Sequence, residues 1–451
     1  MARHYLDRLA DFICDARLAD LDASTLRHGR WVIADTLPVV ASGMQLPEMR
    51  AFADAHLAQA GAGRAWVLGT GRRAAPLDAG LLNGSAGCWQ ELDEGNQFAK
   101  GHPGIQVVPA ALAVAQETGA SGAELLLATI LGYEVSSRIS RAADMRLSIH
   151  PHGTYGVIGA AVAVGRLRGL PAARMRELIS MSATMGMATS RNTLLEGSTV
   201  RNIYSGHSAY MGQIAVQMAQ AGFKGEMDGV RSVYGGGVVS DRYDEARVME
   251  GLGTEWLMEM GYFKLHPTGR YVHSAIDALE DALARAGGPI DPSAIERIDV
   301  KAYKLAAMLN GKDITTSFGG RFSVPYALAT ILHHGQSGLA SFDDAAVANP
   351  AVQALVRRVF VEEDTGYTAE YPGRQRCDVT LHLAGRGAVT GRCEMTKGER
   401  ERPHTEQELR GKFMALGQPI WGQATTQRLY EACMRIEQIA DIGEFSAGLA
   451  L

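Results

Sequence analysis

The sequence predicts a mainly α-helical protein, in which a large all-helical domain formed by both chain ends is interrupted by a smaller α+β domain. Three observations predict it. The first 260 or so residues carry apolar side chains almost throughout at helical spacing. From about Ile295 the period changes to two: in "IERIDVKAY" Ile298, Val300 and Ala302 alternate with charged residues. After Thr396 the pattern returns to charged amphipathic helix, in "TEQELRGKFMAL" and "QRLYEACMRIEQI". The expected boundaries are 1–265 with 401–451 for the helical domain and 266–400 for the α+β domain.

Local signals support the individual elements. "ASGAELLLATILGYEVSSRIS" opens with Ser121 and Glu124 at capping-box spacing and continues with apolar Leu125, Leu126, Ile130 and Leu131. "GTYGVIGAAVAVGRLRGL" reads as a buried helix whose small residues admit close neighbours; Arg166 and Arg168 break it, and it is too short to span a bilayer. In "GLPAARMRELISMSATMGM", Pro171 falls near a helix start, where its missing N–H costs nothing. The methionines from Met181 to Met187 read as core filling. "YGGGVVSD" at 234–241 matches no phosphate-binding pattern and reads as a flexible loop. Further on, "FSVPYALATILHHG" and residues 351–360 read as helices, and "RCDVTLHLAGRGAVTGRCEM" as two strands turning at Gly385 to Gly387.

Composition narrows the function. The chain has 451 residues, 46% hydrophobic and 21% charged, enough to bury a large core in two domains. A net charge of −5 with no basic run argues against a nucleic-acid surface, and no cationic amphipathic segment points to a membrane. The N-terminal segment lacks the apolar core of a signal peptide, so a cytoplasmic location is expected. Cys14, Cys88, Cys377, Cys393 and Cys433 are scattered without C-x-x-C spacing, which supports neither a disulfide framework nor a zinc or iron–sulfur site. The expected partner is a small molecule.

Polar residues able to do chemistry fall in five places. "ELDEGNQFAKGHPG" offers Glu91, Asp93, Glu94, Asn96 and His102 in a glycine-punctuated loop between apparently buried segments. "SIHPHGTYG" offers His150, His152 and Tyr155, and "EGSTVRNIYSGH" offers Arg201, Tyr204 and His207. "YFKLHPTGRYVH" offers Lys264, His266, Arg270 and His273; "RFSVPYA" adds Arg321, Ser323 and Tyr326. Each alone has a bland reading as a turn residue, a helix cap or an ion pair. Together they suit a cleft for a substrate with several carboxylates, with cations binding it and nearby groups moving protons. His, Asp and Glu are also metal ligands, yet no H-E-x-x-H spacing supports a metal.

The order of these motifs carries a resemblance. "NGSAGCWQELDEGNQFAKGHPGIQVVPAALAVAQE", "HPHGTYGVIGAAVAVGRLRGL", "EGSTVRNIYSG", "YFKLHPTGRYVHSAIDA" and "FSVPYALA" together resemble the MmgE/PrpD family from about residue 30 to 415. That family includes 2-methylcitrate dehydratase, cis-aconitate decarboxylase and iminodisuccinate epimerase. The resemblance implies an α+β lid over a helical domain, a cleft between them, a homodimer, small di- or tricarboxylate substrates, and neither metal nor organic cofactor. Carried over by residue, the family's D-[FY]-D-D-T-H loop falls on Glu91 to Asn96 and its H-P-G on His102 to Gly104. Its H-P-T-G-T falls on "HPHGT", which makes His150 the catalytic counterpart and His152 a replacement for threonine. A family lysine becomes Arg201, while Lys264 and Tyr326 are retained.

Departures from the pattern bear on the reaction. Gly95 and Asn96 replace a hydroxyl and an imidazole, and Arg201 replaces a group that can lose a proton with one that cannot. The expected activity is a lyase eliminating water beside a carboxylate. His102, His150 and Lys264 would share proton transfer, with Asp93 orienting a histidine and Tyr326 or Tyr155 supplying a phenol. Arg201 and Arg270 would grip carboxylates, with Glu91, His152 and Asn96 also facing the substrate. The alternative is an epimerase of an imino- or amino-dicarboxylate, then a decarboxylase; a member that only binds its ligand is the reading from another class.

Overall fold

The computed structural model describes residues 3–187 and 189–445, so the extreme ends of the expected helical domain lie outside the described residues. Side chains from the first 263 residues and from 409–442 share one apolar core, in which Leu6, Leu131, Ile158, Phe413 and Cys433 meet. A second core gathers side chains between Val272 and Cys393. The molecule is mainly α-helical, with small sheets.

Small residues fix the helix spacing in the first core. A Cβ on Gly84, in helix Pro76–Gly87, would sit 2.9 Å from the Cα of Gly206 in helix Ile203–Ala221. One on Gly132, in helix Gly122–Ala142, would meet the carbonyl of Gly159 at 2.5 Å. Backbones therefore touch where these helices cross, which is the physical content of the Gly/Ala-rich sequence. Ser121 caps its helix as expected, with the reciprocal Glu124 bond in place. Met181 and Met185 pack on this core. Among the described residues, no helix is long and apolar enough to cross a membrane.

The second core rests on a four-stranded sheet in the order Gly387–Cys393, Cys377–Leu383, Ile295–Ala302, Val359–Glu363. The first three strands are antiparallel and the last joins in parallel. Helix His273–Arg285 lies so close to the sheet that a Cβ on Gly391 would sit 2.2 Å from the Ala278 carbonyl oxygen. Two expectations are corrected. Residues 351–360 are not one helix: the helix Pro350–Val356 stops, and Val359 starts the parallel strand, where its buried side chain continues the sheet's apolar face. The first 260 residues also contain short two-stranded ladders, including Ser240–Tyr243, which begins within the stretch 234–241 expected to be a loop.

One of these ladders positions the site. Gly95–Asn96 pairs antiparallel with Gly261–Tyr262, so the acidic loop is tied to the segment that crosses between the two cores. Gly95 is required there: a Cβ would lie 2.4 Å from the Tyr262 hydroxyl.

Candidate active site

Backbone strain and buried charge meet in the loop before helix Pro103–Thr118. Glu91 and Lys100 hold left-handed φ values of 53° and 58°, which non-glycine residues adopt only when their surroundings compensate. For Glu91 the surroundings are two cations. One carboxylate oxygen lies 2.7 Å from Arg201 Nη1, and the other accepts from Lys264 Nζ at 3.3 Å. Lys264 also donates to Asp93 Oδ1 at 3.2 Å, while Asp93 Oδ2 lies 2.8 Å from His102 Nδ1. The Lys100 ammonium donates to the carbonyls of Ser140 and Ala143, at the C-terminal end of helix Gly122–Ala142, where the helix dipole favours a cation.

This network sets the protonation states. Burial pushes the Asp93 carboxyl up, but His102 and then Lys264 outweigh it and hold the group well below the usual carboxylate range. Burial, reinforced by Arg201, holds His150 and His152 well below the ordinary histidine value, so both are neutral near pH 7. His150 Nε2 faces Arg201 Nε at 3.2 Å and its Nδ1 faces the His152 backbone N–H at 3.1 Å. A neutral imidazole has one lone pair to offer these two donors, and a protonated ring has none. The three rings touch edge to face, with centroids 4.8 Å apart for His102–His152 and 4.7 Å for His150–His152.

Glu94 braces the floor from beneath. Its carboxyl accepts from the Gly104 N–H at 2.5 Å and from the Tyr133 hydroxyl at 3.0 Å. Burial pushes its pKa up to about 8 from 4.5, so the folded state favours the neutral acid. The stability this contributes is complete below about pH 4.5 and is lost as the pH rises through 8, with an upper bound of about 5 kcal/mol. The wild-type thermal midpoint is therefore expected to fall between pH 5 and pH 8.5, and Glu94→Gln to flatten that fall. An equal fall in both proteins contradicts the assignment.

A cavity of about 550 Å³, including its open mouth, lies over these groups. The structure brings Glu91, Asn96, His102, His150, His152, Arg201 and Arg270 to its wall. Asp93 and Lys264 stand behind that wall, touching His102 and Glu91. Asn96 is spent on the loop: its amide donates to the Leu257 carbonyl at 2.7 Å and accepts from the Ala99 N–H at 3.0 Å. Arg270 is held by Glu399, donating from Nη2 at 2.8 Å, and lies 4.3 Å over the Tyr262 ring.

The structure does not bring the two tyrosines to the cavity wall. Tyr326 sits in the second core and donates to the Ser341 carbonyl at 2.9 Å. Tyr155 is fully buried beneath the loop, where its hydroxyl would lie 2.5 Å from a Cβ on Gly101. Sequence reasoning missed Arg191, Tyr262, Tyr271 and Phe322 on the wall and Glu399 behind it.

Asp93, His102 and His152 offer metal-type donor atoms all within 4.8 Å of one another. Asp93 Oδ2 and His102 Nδ1 stand 2.8 Å apart, and Lys264 already occupies the second Asp93 oxygen. Asp93 Oδ2, His102 Nδ1 and His152 Nε2 are buried without a hydrogen-bond partner, so the trio offers three unfilled atoms to a proton or a cation. Cys88 lies 3.0 Å from Ser205 Oγ, which is 3.2 Å from His152 Nδ1; burial pushes the thiol up to about 12, which leaves it no nucleophilic thiolate at neutral pH.

Known proteins place the chain. The MmgE/PrpD N-terminal domain model matches residues 7–247 and the MmgE/PrpD C-terminal domain model matches residues 266–436. The chain is 23% identical to cis-aconitate decarboxylase of Aspergillus terreus over 94% of its own length and 91% of the relative's. It is 24% identical to a cis-aconitate decarboxylase-like protein of Aspergillus oryzae, over 97% and 96% of the two chains. To human cis-aconitate decarboxylase it is 22% identical, over 82% and 78%. With both domain models matched in order across most of its length, the chain belongs to the MmgE/PrpD family.

Proposed function

We propose that this protein is a lyase acting at a carbon beside a carboxylate of a small di- or tricarboxylate, using acid–base groups of its own side chains. One observation carries this: a carboxylate–imidazole pair, Asp93 and His102, sits beside two neutral imidazoles on a cavity wall rich in cations. Asp93 lies 2.8 Å from His102 Nδ1 and orients the ring, so that its other nitrogen can take a proton from carbon. Arg201 holds charge that develops on the substrate. Elimination of water needs a base at carbon and an acid at the departing hydroxide: His102 takes the carbon-bound proton and, as the imidazolium so formed, returns it to the hydroxide. The helical residues 1–265 and 401–451 would form the body and residues 266–400 the lid.

A second reading is decarboxylation, favoured by the names of the relatives above. It needs a proton donor and a charge sink but no initial base. The two separate when the protein is given 2-methylcitrate and cis-aconitate in turn. A new alkene in the NMR spectrum of methylcitrate, read as an allylic methyl singlet or a vinylic proton according to which carbon loses its proton, is expected from a hydro-lyase; carbon dioxide released from cis-aconitate is expected from a decarboxylase. Exchange of a carbon-bound proton with solvent and no net loss of either would move the assignment to an epimerase. Silence with both compounds would count against the substrate class.

A further inference from the structure

Four cations face the cavity: Lys100, Arg191, Arg201 and Arg270. Three have commitments within the protein. Lys100 donates to two helix-end carbonyls, Arg201 is paired with Glu91, and Arg270 with Glu399. Arg191 differs. Its guanidinium makes one long bond, from Nη2 to the Ile149 carbonyl at 3.3 Å, and its Nε is buried without a partner. Among the described residues, no carboxylate lies within 4.0 Å of it.

The backbone fixes where this side chain starts. Arg191 N–H donates to the Ser148 carbonyl at 2.9 Å, and Ser190 pairs with Ile149, the residue before His150. The arginine is thus tethered beside His150, on the same cavity wall, with Leu194 one turn further on. A planar guanidinium with free N–H groups at a wall of this kind matches a carboxylate in geometry and charge.

We propose that Arg191 is a substrate-binding residue that receives one carboxylate of the di- or tricarboxylate, away from the bond that breaks. This rests on the polycarboxylate reading above and adds a residue to it. Glu91 and Asp93 already balance Arg201 and Lys264, and Glu399 pairs with Arg270, which leaves Arg191 as the wall arginine without a carboxylate partner among the described residues. Arg191 would then set how far a second or third carboxylate stands from the histidines, and so select substrate length.

Calorimetric titration of the full chain with tricarballylate, a saturated tricarboxylate with nothing to eliminate, tests this apart from turnover. Arg191→Gln is expected to weaken binding roughly 10- to 100-fold, the usual effect of losing a charge-assisted hydrogen bond. Arg191→Lys is expected to recover part of the loss, and both variants to keep the wild-type thermal midpoint. With a turned-over substrate, KM should rise by a similar factor while kcat stays within about threefold. Wild-type binding with equal binding by Arg191→Gln overturns the role of Arg191 and leaves the proposed function standing. No binding by the wild type overturns both.

Discussion

His102→Gln is expected to lower kcat by roughly 10²–10⁴-fold, the range for losing a positioned acid–base group. The substitution keeps a polar side chain of similar reach on the cavity wall, so substrate affinity should change little. What it removes is the ring nitrogen that Asp93 faces at 2.8 Å. Asp93→Asn should show a related loss with a distinct signature. The imidazole remains and only the carboxylate that orients it is gone, so kcat should fall less than in His102→Gln. Unchanged kcat in both variants would reduce the pair to a structural contact ahead of helix Pro103–Thr118.

Lys264→Met carries the largest expected cost to folding, about 3–5 kcal/mol for removing one partner of a buried ion network. Lys264 is fully buried and holds Glu91 and Asp93 at 3.3 and 3.2 Å. Without the ammonium, two buried carboxylates face each other with Arg201 and His102 as their remaining counter-charges. Removing the charge from Glu91 as well should restore much of the loss, so Lys264→Met with Glu91→Gln is expected to be more stable than Lys264→Met alone. Denaturant midpoints of the four proteins check this. Strict additivity would show that the ammonium and Glu91 do not interact.

The network explains why part of the site was legible in the sequence. Three carboxylates within four positions, followed by H-P-G, announce a loop whose charges need partners, and the partners are the cations named from other motifs, Arg201 and Lys264. Arg191 and Glu399 gave no such signal, because an isolated charged residue in a polar stretch looks the same whether it faces a cavity or solvent. Tyr326 failed for a different reason. A tyrosine early in a helix can direct its hydroxyl to a site or back to a backbone carbonyl, and packing in the second core decided for Ser341.

Fold legibility followed the same division. Long segments with a clear period became the helices and the hairpin they predicted, since many side chains vote for one face. Val359–Glu363 was lost because its first residues extend the apolar spacing of the helix before it, and a parallel edge strand depends on a distant partner, Ile298 to Ala302. The ladder Gly95–Asn96 with Gly261–Tyr262 is two residues long, too short for any period to appear. Its sequence trace is Gly95 itself, where the family pattern carries threonine and where the Tyr262 ring leaves no room for a Cβ.

His102, beside Asp93, is expected to move a proton at a carbon next to a carboxylate. Proton NMR in D₂O reads that transfer, with the purified, metal-stripped protein given 2-methylcitrate, cis-aconitate and iminodisuccinate in turn, and His102→Gln run in parallel. A new alkene, or solvent deuterium at a carbon beside a carboxylate in product or recovered substrate, is expected with the wild type and should be slowed by orders of magnitude in the variant. Spectra that stay unchanged and deuterium-free with all three compounds, or exchange at equal rates in both proteins, would contradict it.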